Sequence, residues 1–467
     1  MISVPLIFFC VLFLVISASN GQDHHTKLTS WMIATKSGES AKVSLNAHTA
    51  TLESSIQIEF DRRGCSSFQQ MNLSAAAKTN NFLKNRFGPD EMVLFLEGPS
   101  IQAFLIRQRN CTFYFQEFNI PIEGDYRLKV AVIRSNYSAA TELVDLCPRP
   151  GFDLILDTQV HLTKNIRAPS TKEFAGYWFH KTPELSLLKN KTMQLDTKKY
   201  IRDMPISSWV SVSSNPVTEV IANQVYSCAE DISNYEWKLT DPQQVVLTST
   251  QGSAILSGKK ILMIGDSHAR TLSAQILSWA CGMKIPEVRH VVTFHSVPLT
   301  ASRCAGYQVT FRPELFCGLG SLPPLGQFDL VVSNCGHHPA SYRHSTLGQY
   351  TDMVTKLADE VISKGYKNDS FAWIESIPQP LRNNRWFAAD RDWRTFHRLD
   401  LFNQFANEIM TRSTKQKNDV HEGFTVIPAF QNLLPFSDKL CDNSHYTTPD
   451  IYVPVYQSLL KLLNKPK

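Results

Sequence analysis

The sequence predicts a chain of two domains, an N-terminal all-β domain followed by an α/β domain built on a parallel sheet. Between residues 28 and 146, apolar and polar residues alternate in short runs separated by turn signals, which is typical of antiparallel strands. From residue 226 onward, short apolar runs alternate with helical patterns, which indicates βαβ units. With 467 residues, 43% of them hydrophobic, the chain can fill cores for two or three domains.

The N-terminus predicts entry into the secretory pathway. An apolar run over residues 4–16 precedes the small residues Ser17, Ala18 and Ser19, so we predict a signal peptide over 1–20. No Lys or Arg precedes the run, which leaves an uncleaved anchor as the alternative; membrane attachment is expected only in that case. The predicted location is secreted or in the lumen of the secretory pathway, the Golgi included. Five glycosylation sequons agree with it, at Asn72, Asn110, Asn136, Asn190 and Asn368.

The predicted β domain, 28–146, contains several strands with clear alternation. In "SSIQIEF", Ile56, Ile58 and Phe60 lie on one face, and "MVLFLEG", "CTFYFQEF" and "DYRLKVAV" are further strand candidates. Short strands separated by turns over about one hundred residues favour an immunoglobulin-like β-sandwich. Its aromatic residues are interpreted as core packing.

Residues 147–225 show no sustained period, and we predict a connector that wraps the next domain. Within it, "FAGYWFH" (174–180) is interpreted as a packing segment rather than part of a substrate cleft, because aromatic clusters usually belong to a core.

Four strands and their helices are predicted in the last domain, 226–467. The strands are residues 260–264, "FDLVVSN", "SFAWIESIP" and "GFTVIPAF". Apolar residues at helical spacing predict helices after the first strand, over about 347–364, over about 394–410 and from Pro449 to about Leu463.

A serine follows the first of these strands, in "KKILMIGDSHAR". Gly265 ends the apolar run and a helical pattern begins, so Ser267 is expected at a strand-to-helix turn. Such turns lie at the carboxyl edge of a parallel sheet, where α/β proteins bind ligands. The structural alternative is that Asp266 and Ser267 only cap the helix.

Two more polar clusters are expected at the same edge, "NCGHH" over 334–338 and "DNSH" over 442–445. A serine hydroxyl needs a base to become nucleophilic, and a histidine base needs a carboxylate to orient it. We therefore predict Ser267 as nucleophile, His445 as general base and acid, and Asp442 as the residue that orients His445.

The remaining candidate residues surround this triad. The backbone N–H of Ser267, that of Gly336 or its neighbour, and the side-chain amide of Asn334 are predicted to bind the oxyanion. The alternative for Asn334 is that a buried Asn after a strand often only satisfies backbone groups. His337 and His338 are predicted to bind substrate, with one of them packing against the sheet as the alternative. His268 either lines the acceptor site or caps the helix.

"GDSHAR", "SNCGHH" and "DNSHY", in this order, resemble the motifs of the PC-esterase branch of the SGNH/GDSL hydrolases. Two groups of that branch are the plant trichome-birefringence-like polysaccharide O-acetyltransferases and the animal neurexophilin and PC-esterase domain proteins, whose architecture matches the one predicted here. The resemblance implies a three-layer α/β/α SGNH-like catalytic domain over 226–467. It also implies the Ser267, Asp442 and His445 triad, with Gly265, Asn334 and Gly336 near the oxyanion site, and acyl-ester chemistry on glycans.

Composition excludes some classes of function. The net charge of +5 comes from 47 basic and 42 acidic residues without a Lys/Arg block, so no nucleic-acid partner is predicted. The cysteine spacing contains no CxxC, so no metal site is expected, and no cofactor is predicted. In an oxidising compartment the cysteines should form disulfides, for example Cys65 with Cys111 and Cys304 with Cys317.

The leading hypothesis is transfer or hydrolysis of acyl groups, acetyl first, on hydroxyls of a glycan or glycoprotein acceptor through a seryl-acyl intermediate. The acyl donor stays open, and substrate contacts are expected in the loops between 283 and 325. One rival is a secreted binding protein whose esterase-like domain is an inert scaffold. Another is a lipid or thioester hydrolase, which would need an apolar tunnel for the acyl chain.

Overall fold

The computed structural model describes the chain over residues 26–34, 40–48, 54–60, 91–108, 113–134, 153–164, 176–181, 235–239, 244–282, 297–298, 304–314, 316–318, 322–341, 345–379, 394–412, 414–416, 419–421, 423–437, 446 and 449–464. The predicted signal peptide, the pair Cys65 and Cys111, and the catalytic candidates Asp442 and His445 lie outside these residues. The described part contains an antiparallel sheet and a separate parallel sheet with helices, which confirms the α/β class.

The antiparallel sheet has ten strands. Along its main path the order is β1-β2-β3-β6-β5-β4-β7-β8, and two further strands, β9 and β10, join it through β5. The four strands predicted between 54 and 132 are confirmed as β3, β6, β4 and β7. The strand bounds are β1 (Thr26–Ala34), β2 (Ser40–His48), β3 (Ser54–Phe60), β4 (Glu91–Glu97), β5 (Ser100–Gln108), β6 (Phe113–Phe118), β7 (Gly124–Arg134), β8 (Asp153–Leu162), β9 (Gly176–His180) and β10 (Tyr235–Leu239).

Strand β4 is apolar on both faces because each face enters a different core. Met92 and Leu94 point into the core of the antiparallel sheet, together with residues of β2, β3 and β7. Val93 and Phe95 point the other way and pack against residues of the α/β domain. A strand buried on both sides is apolar throughout, which explains the uninterrupted run "MVLFL".

Two strands, β8 and β9, lie in the segment 147–225 for which no period was found. The register between β7 and β8 shifts, with Val130 opposite Leu156 and Ala131 opposite Leu154, so Ile155 is an extra residue. Such a bulge breaks the period-two pattern by which strands are recognised. Strand β9 has only five residues; its Trp178 is buried, in agreement with the packing interpretation over 176–180.

The second sheet has the order β12-β13-β11-β14-β15-β18. Its pairs are parallel except for β12 with β13. The four predicted strands are confirmed as β11, β14, β15 and β18. Strand β13 was not predicted; it lies in the segment 283–325, where loops were expected. The bounds are β11 (Lys260–Gly265), β12 (Val297–Pro298), β13 (Gln308–Pro313), β14 (Leu330–Ser333), β15 (Phe371–Ile374) and β18 (Thr425–Ile427), with a separate hairpin of β16 (Thr414–Gln416) and β17 (Asp419–His421).

Helices cover both faces of the parallel sheet. Alternate strand residues Ile261 and Met263 pack with α2 and α7, whereas Leu262 and Ile264 pack with α4 and α5. No helix of the described residues is both long and apolar enough to cross a membrane. The helices are α1 (Ser249–Leu256), α2 (Ser267–Cys281), α3 (His337–Ser341), α4 (Leu347–Ser363), α5 (Phe396–Thr411), α6 (Phe430–Leu433) and α7 (Val453–Leu463), with 3₁₀ turns at Leu434–Phe436 and Pro449–Tyr452.

The disulfides of the α/β domain correct the predicted pair Cys304 with Cys317. Cys281 pairs with Cys304, and Cys317 pairs with Cys335, each with a Cα–Cα distance of 5.4 Å. The prediction was wrong because it joined cysteines close in sequence, whereas each bond ties a loop to the end of a regular element. Cys281 is the last residue of α2, and Cys335 follows β14.

Candidate functional site

Two of the three predicted polar clusters lie side by side at the carboxyl edge of the parallel sheet. Strands β11 and β14 are parallel neighbours, with Ile264 opposite Ser333. Just beyond them, the backbone N–H of Asn334 donates to the carbonyl of Ile264 at 2.9 Å. The structure therefore brings the turn 265–267 next to the turn 334–338, as predicted.

Gly265 allows this close approach. A Cβ atom at this position would lie 2.7 Å from the backbone oxygen of Asn334 and 2.8 Å from the Cβ of Ala269. Both distances are shorter than van der Waals contact, so a larger residue would push the two turns apart.

The helix cap after β11 is Asp266 rather than Ser267. The Asp266 carboxylate is buried and accepts a hydrogen bond from the backbone N–H of His268 at 2.8 Å. Ser267 is the first residue of α2 and is only partly buried. Since Asp266 does the capping, this role does not account for the serine.

His268 and His337 form a buried stacked pair. Their ring centroids are 3.7 Å apart with an interplanar angle of 25°, and each side chain is almost fully buried. His268 is the second residue of α2, and the N-cap residue is Asp266, to which His268 donates its backbone N–H. Two enclosed rings offer little surface to a ligand, so the pair joins the two turns to each other.

His338 is the accessible histidine of this cluster, being only half-buried. Burial lowers the pKa of its imidazole below the usual value; the charge of Arg394 lowers it further, and that of Asp266 opposes the shift. A lowered pKa keeps the ring neutral near pH 7, in which state one nitrogen donates and the other accepts a hydrogen bond. His338 can therefore contact a polar ligand without carrying charge.

Asn334 links two strand ends. Its Nδ2 donates to the carbonyl of Ile374, the last residue of β15, at 2.9 Å. Its Oδ1 is buried without a hydrogen-bond partner within the described residues. The side chain thus satisfies a backbone group, as the structural alternative expected, and an amide nitrogen has a second N–H for an oxyanion.

The turn that contains Gly336 is held from several sides. The Tyr350 hydroxyl donates to the carbonyl of Cys335 at 2.9 Å. A Cβ on Gly336 would overlap Oγ of Ser376, so only glycine fits there. Ser376 is itself held by Asn403, whose side chain accepts from its N–H at 2.7 Å and donates to its carbonyl at 2.8 Å. These contacts fix the backbone of the predicted oxyanion turn.

Sequence reasoning missed Phe316 and Arg394 as members of this site. The Phe316 ring lies 6.3 Å from that of His338, centroid to centroid, and the Arg394 charge acts on the same imidazole. Arg394 precedes the cap of α5, and its position depends on long-range packing that leaves no local pattern. Phe316 lies in the segment 283–325, where substrate contacts were expected.

Within the described residues, no group of three or more His, Cys, Asp or Glu side chains is arranged to hold a metal ion. No protein-family model matches the chain, and a search of curated proteins finds no similar sequence.

Proposed function

We propose that the chain is a serine enzyme that transfers or hydrolyses acyl groups, acetyl first, on hydroxyls of a glycan or glycoprotein. One observation carries the proposal most strongly. Ser267 begins a helix at the carboxyl edge of a parallel sheet, and Asp266 already supplies the helix cap. A serine at this position, directly after the residue that caps the helix, is suited to nucleophilic attack.

In the proposed reaction, Oγ of Ser267 attacks the carbonyl carbon of an acyl ester while His445 takes the hydroxyl proton. Asp442 holds the imidazole in the required tautomer and stabilises its charged form. The tetrahedral oxyanion accepts hydrogen bonds from the backbone N–H groups of Ser267 and Gly336 and from the second N–H of Asn334 Nδ2.

Collapse of this intermediate expels the alcohol, which takes the proton back from His445 and leaves an acyl ester on Ser267. A sugar hydroxyl or water then attacks the acyl carbon, with His445 again accepting and returning the proton. Transfer and hydrolysis differ only in which of the two attacks.

The same proposal assigns a fold to each of the two domains. Helices on both faces of the parallel sheet are compatible with a three-layer SGNH fold of the PC-esterase branch. The antiparallel sheet, which encloses its own core, is compatible with an immunoglobulin-like sandwich in front of it. Two disulfides within the described residues favour the proposed secretory location.

The predicted base and its orienting carboxylate can be tested separately. We expect Asp442→Asn and His445→Ala each to reduce turnover of an activated acetyl ester by about 10⁴-fold, because the members of a triad act as a unit. The measurement is the steady-state rate of acetate release by each purified variant.

Two substitutions at exposed positions serve as matched controls. Asp450→Asn lies in the 3₁₀ turn before α7, and His161→Ala lies on β8, far from the parallel sheet in sequence. Both should retain full turnover. Full turnover of His445→Ala would show that His445 is not the base. Loss of turnover in His445→Ala with full turnover of Asp442→Asn would leave His445 as the base and exclude Asp442 as its partner.

A further inference from the structure

The loop that follows β13 presents an aromatic side chain beside the site. Phe316 is 40% exposed, unlike most large apolar side chains of the described residues. Single exposed apolar residues are common on protein surfaces and need no explanation by themselves. The position of Phe316 is unusual because the residues around it are fixed to both motif turns.

The first attachment is to the turn that bears Ser267. The backbone N–H of Glu314 donates to the carbonyl of Gly265 at 2.7 Å. The Glu314 carboxylate turns back and accepts the backbone N–H of Phe316 at 3.1 Å. Phe316 is thus held by Glu314, which lies two residues before it and bonds directly to the turn that bears Ser267.

The second attachment is to the oxyanion turn. Cys317, the next residue, forms its disulfide with Cys335, which directly precedes Gly336. Cys317 has a φ of 53°, and it is the one non-glycine residue of the described chain with positive φ. A left-handed conformation is unfavourable for a residue with a Cβ and persists only where surrounding contacts enforce it. The backbone at Phe316 is therefore fixed on both sides.

The side chain that this backbone presents has a polar neighbour. The rings of Phe316 and His338 are 6.3 Å apart at an interplanar angle of 66°. The imidazole is half-buried and neutral near pH 7, so it can both donate and accept. An aromatic ring and a hydrogen-bonding group thus stand together on segments that are bonded to the turns of Ser267 and Gly336.

We infer that Phe316 and His338 form the subsite for the acceptor sugar, with a pyranose ring lying on the Phe316 face and a ring hydroxyl on His338. A pyranose has an apolar C–H face bordered by hydroxyls, which matches this pair of side chains. An acyl chain has no polar edge, and its burial would require an enclosed apolar pocket rather than a 40% exposed ring. The inference rests on the proposed function, since it assigns the acceptor of the same reaction.

The test separates the acylation of Ser267 from use of the acceptor. An activated acetyl ester serves as donor, and methyl β-glycosides of glucose, galactose, xylose and N-acetylglucosamine serve as acceptor probes. We expect Phe316→Ala to raise the KM for the best acceptor by about tenfold and to change the acylation rate far less. Phe316→Tyr, which keeps the ring, should restore the KM, and Leu325→Ala, at another exposed apolar position, should not change it.

Sugar binding measured without any acylation tests this subsite separately from the proposed reaction. Ligand-observed NMR of the same glycosides with the Ser267→Ala protein needs no chemistry, and added Phe316→Ala should abolish the signal. Equal sugar binding with and without the Phe316 ring, or no binding of any glycoside, would overturn the subsite even if Ser267 is acylated. A selective loss of rate with longer acyl esters in Phe316→Ala would instead assign this ring to the acyl group.

Discussion

Replacing Ser267 with alanine is expected to reduce turnover of an acetyl ester by about 10⁴-fold or more while the protein stays folded. The hydroxyl is the only part removed, and Asp266 continues to cap the helix. Retained thermal stability with lost turnover would separate a catalytic role from a structural one. Comparison of ester hydrolysis and thermal unfolding of the two proteins provides both measurements.

A second serine on α2 supplies the control. Ser273 is buried, and its hydroxyl donates to the carbonyl of Ala269 at 2.8 Å, so Ser273→Ala removes the same atom at another position of the same helix. This variant should keep its turnover. Equal activity of Ser267→Ala and the natural chain would show that the hydroxyl of Ser267 takes no part in chemistry.

Replacing Trp178 with alanine is expected to lower the free energy of unfolding by about 3–5 kcal/mol. The side chain is 2% exposed and joins the antiparallel sheet to the α/β domain. Its ring centroid lies 5.3 Å from that of Trp237 and 4.9 Å from that of Phe436, and its Nε1 donates to the carbonyl of Asn432 at 2.9 Å. Removal leaves a cavity and a carbonyl without its donor.

Urea denaturation of the natural and variant proteins measures this loss. Trp178→Phe keeps most of the apolar contact but loses the hydrogen bond and part of the ring volume, so its cost should be smaller, about 1–2 kcal/mol. Val245→Ala, at an exposed position, should change stability by less than about 0.5 kcal/mol. A Trp178→Ala protein as stable as the Val245→Ala protein would show that Trp178 does not stabilise the contact between the antiparallel sheet and the α/β domain.

Local periodicity was sufficient to predict strands in which each face has the same kind of neighbour along its whole length. Strand β3 alternates because only one of its faces is strongly apolar, and β11 is uniformly apolar because helices cover both of its faces. Strand β8 was not predicted, because the bulge at Ile155 interrupts the alternation of the two faces along the strand. Strands of five residues, such as β9, are too short to establish a period.

The site was predictable where residues follow a strand directly. Ser267 and Asn334 could be placed at one edge because parallel strands end together. The stacking of His268 on His337, the disulfide from Cys317 to Cys335, and the place of Phe316 beside His338 depend on contacts between distant segments. Such contacts are decided by the packing of the whole domain, and no spacing in the sequence encodes them.

The central claim is that Ser267 carries an acyl group during the reaction. Intact-protein mass spectrometry after brief exposure to an activated acetyl ester tests it most directly, with the natural chain and Ser267→Ala treated in parallel. We predict one acetyl adduct that maps to Ser267 and is missing from the variant. If both proteins are folded and neither gains an adduct at this position, the enzyme assignment is contradicted, and a secreted binding protein on an inert esterase-like scaffold becomes the better account.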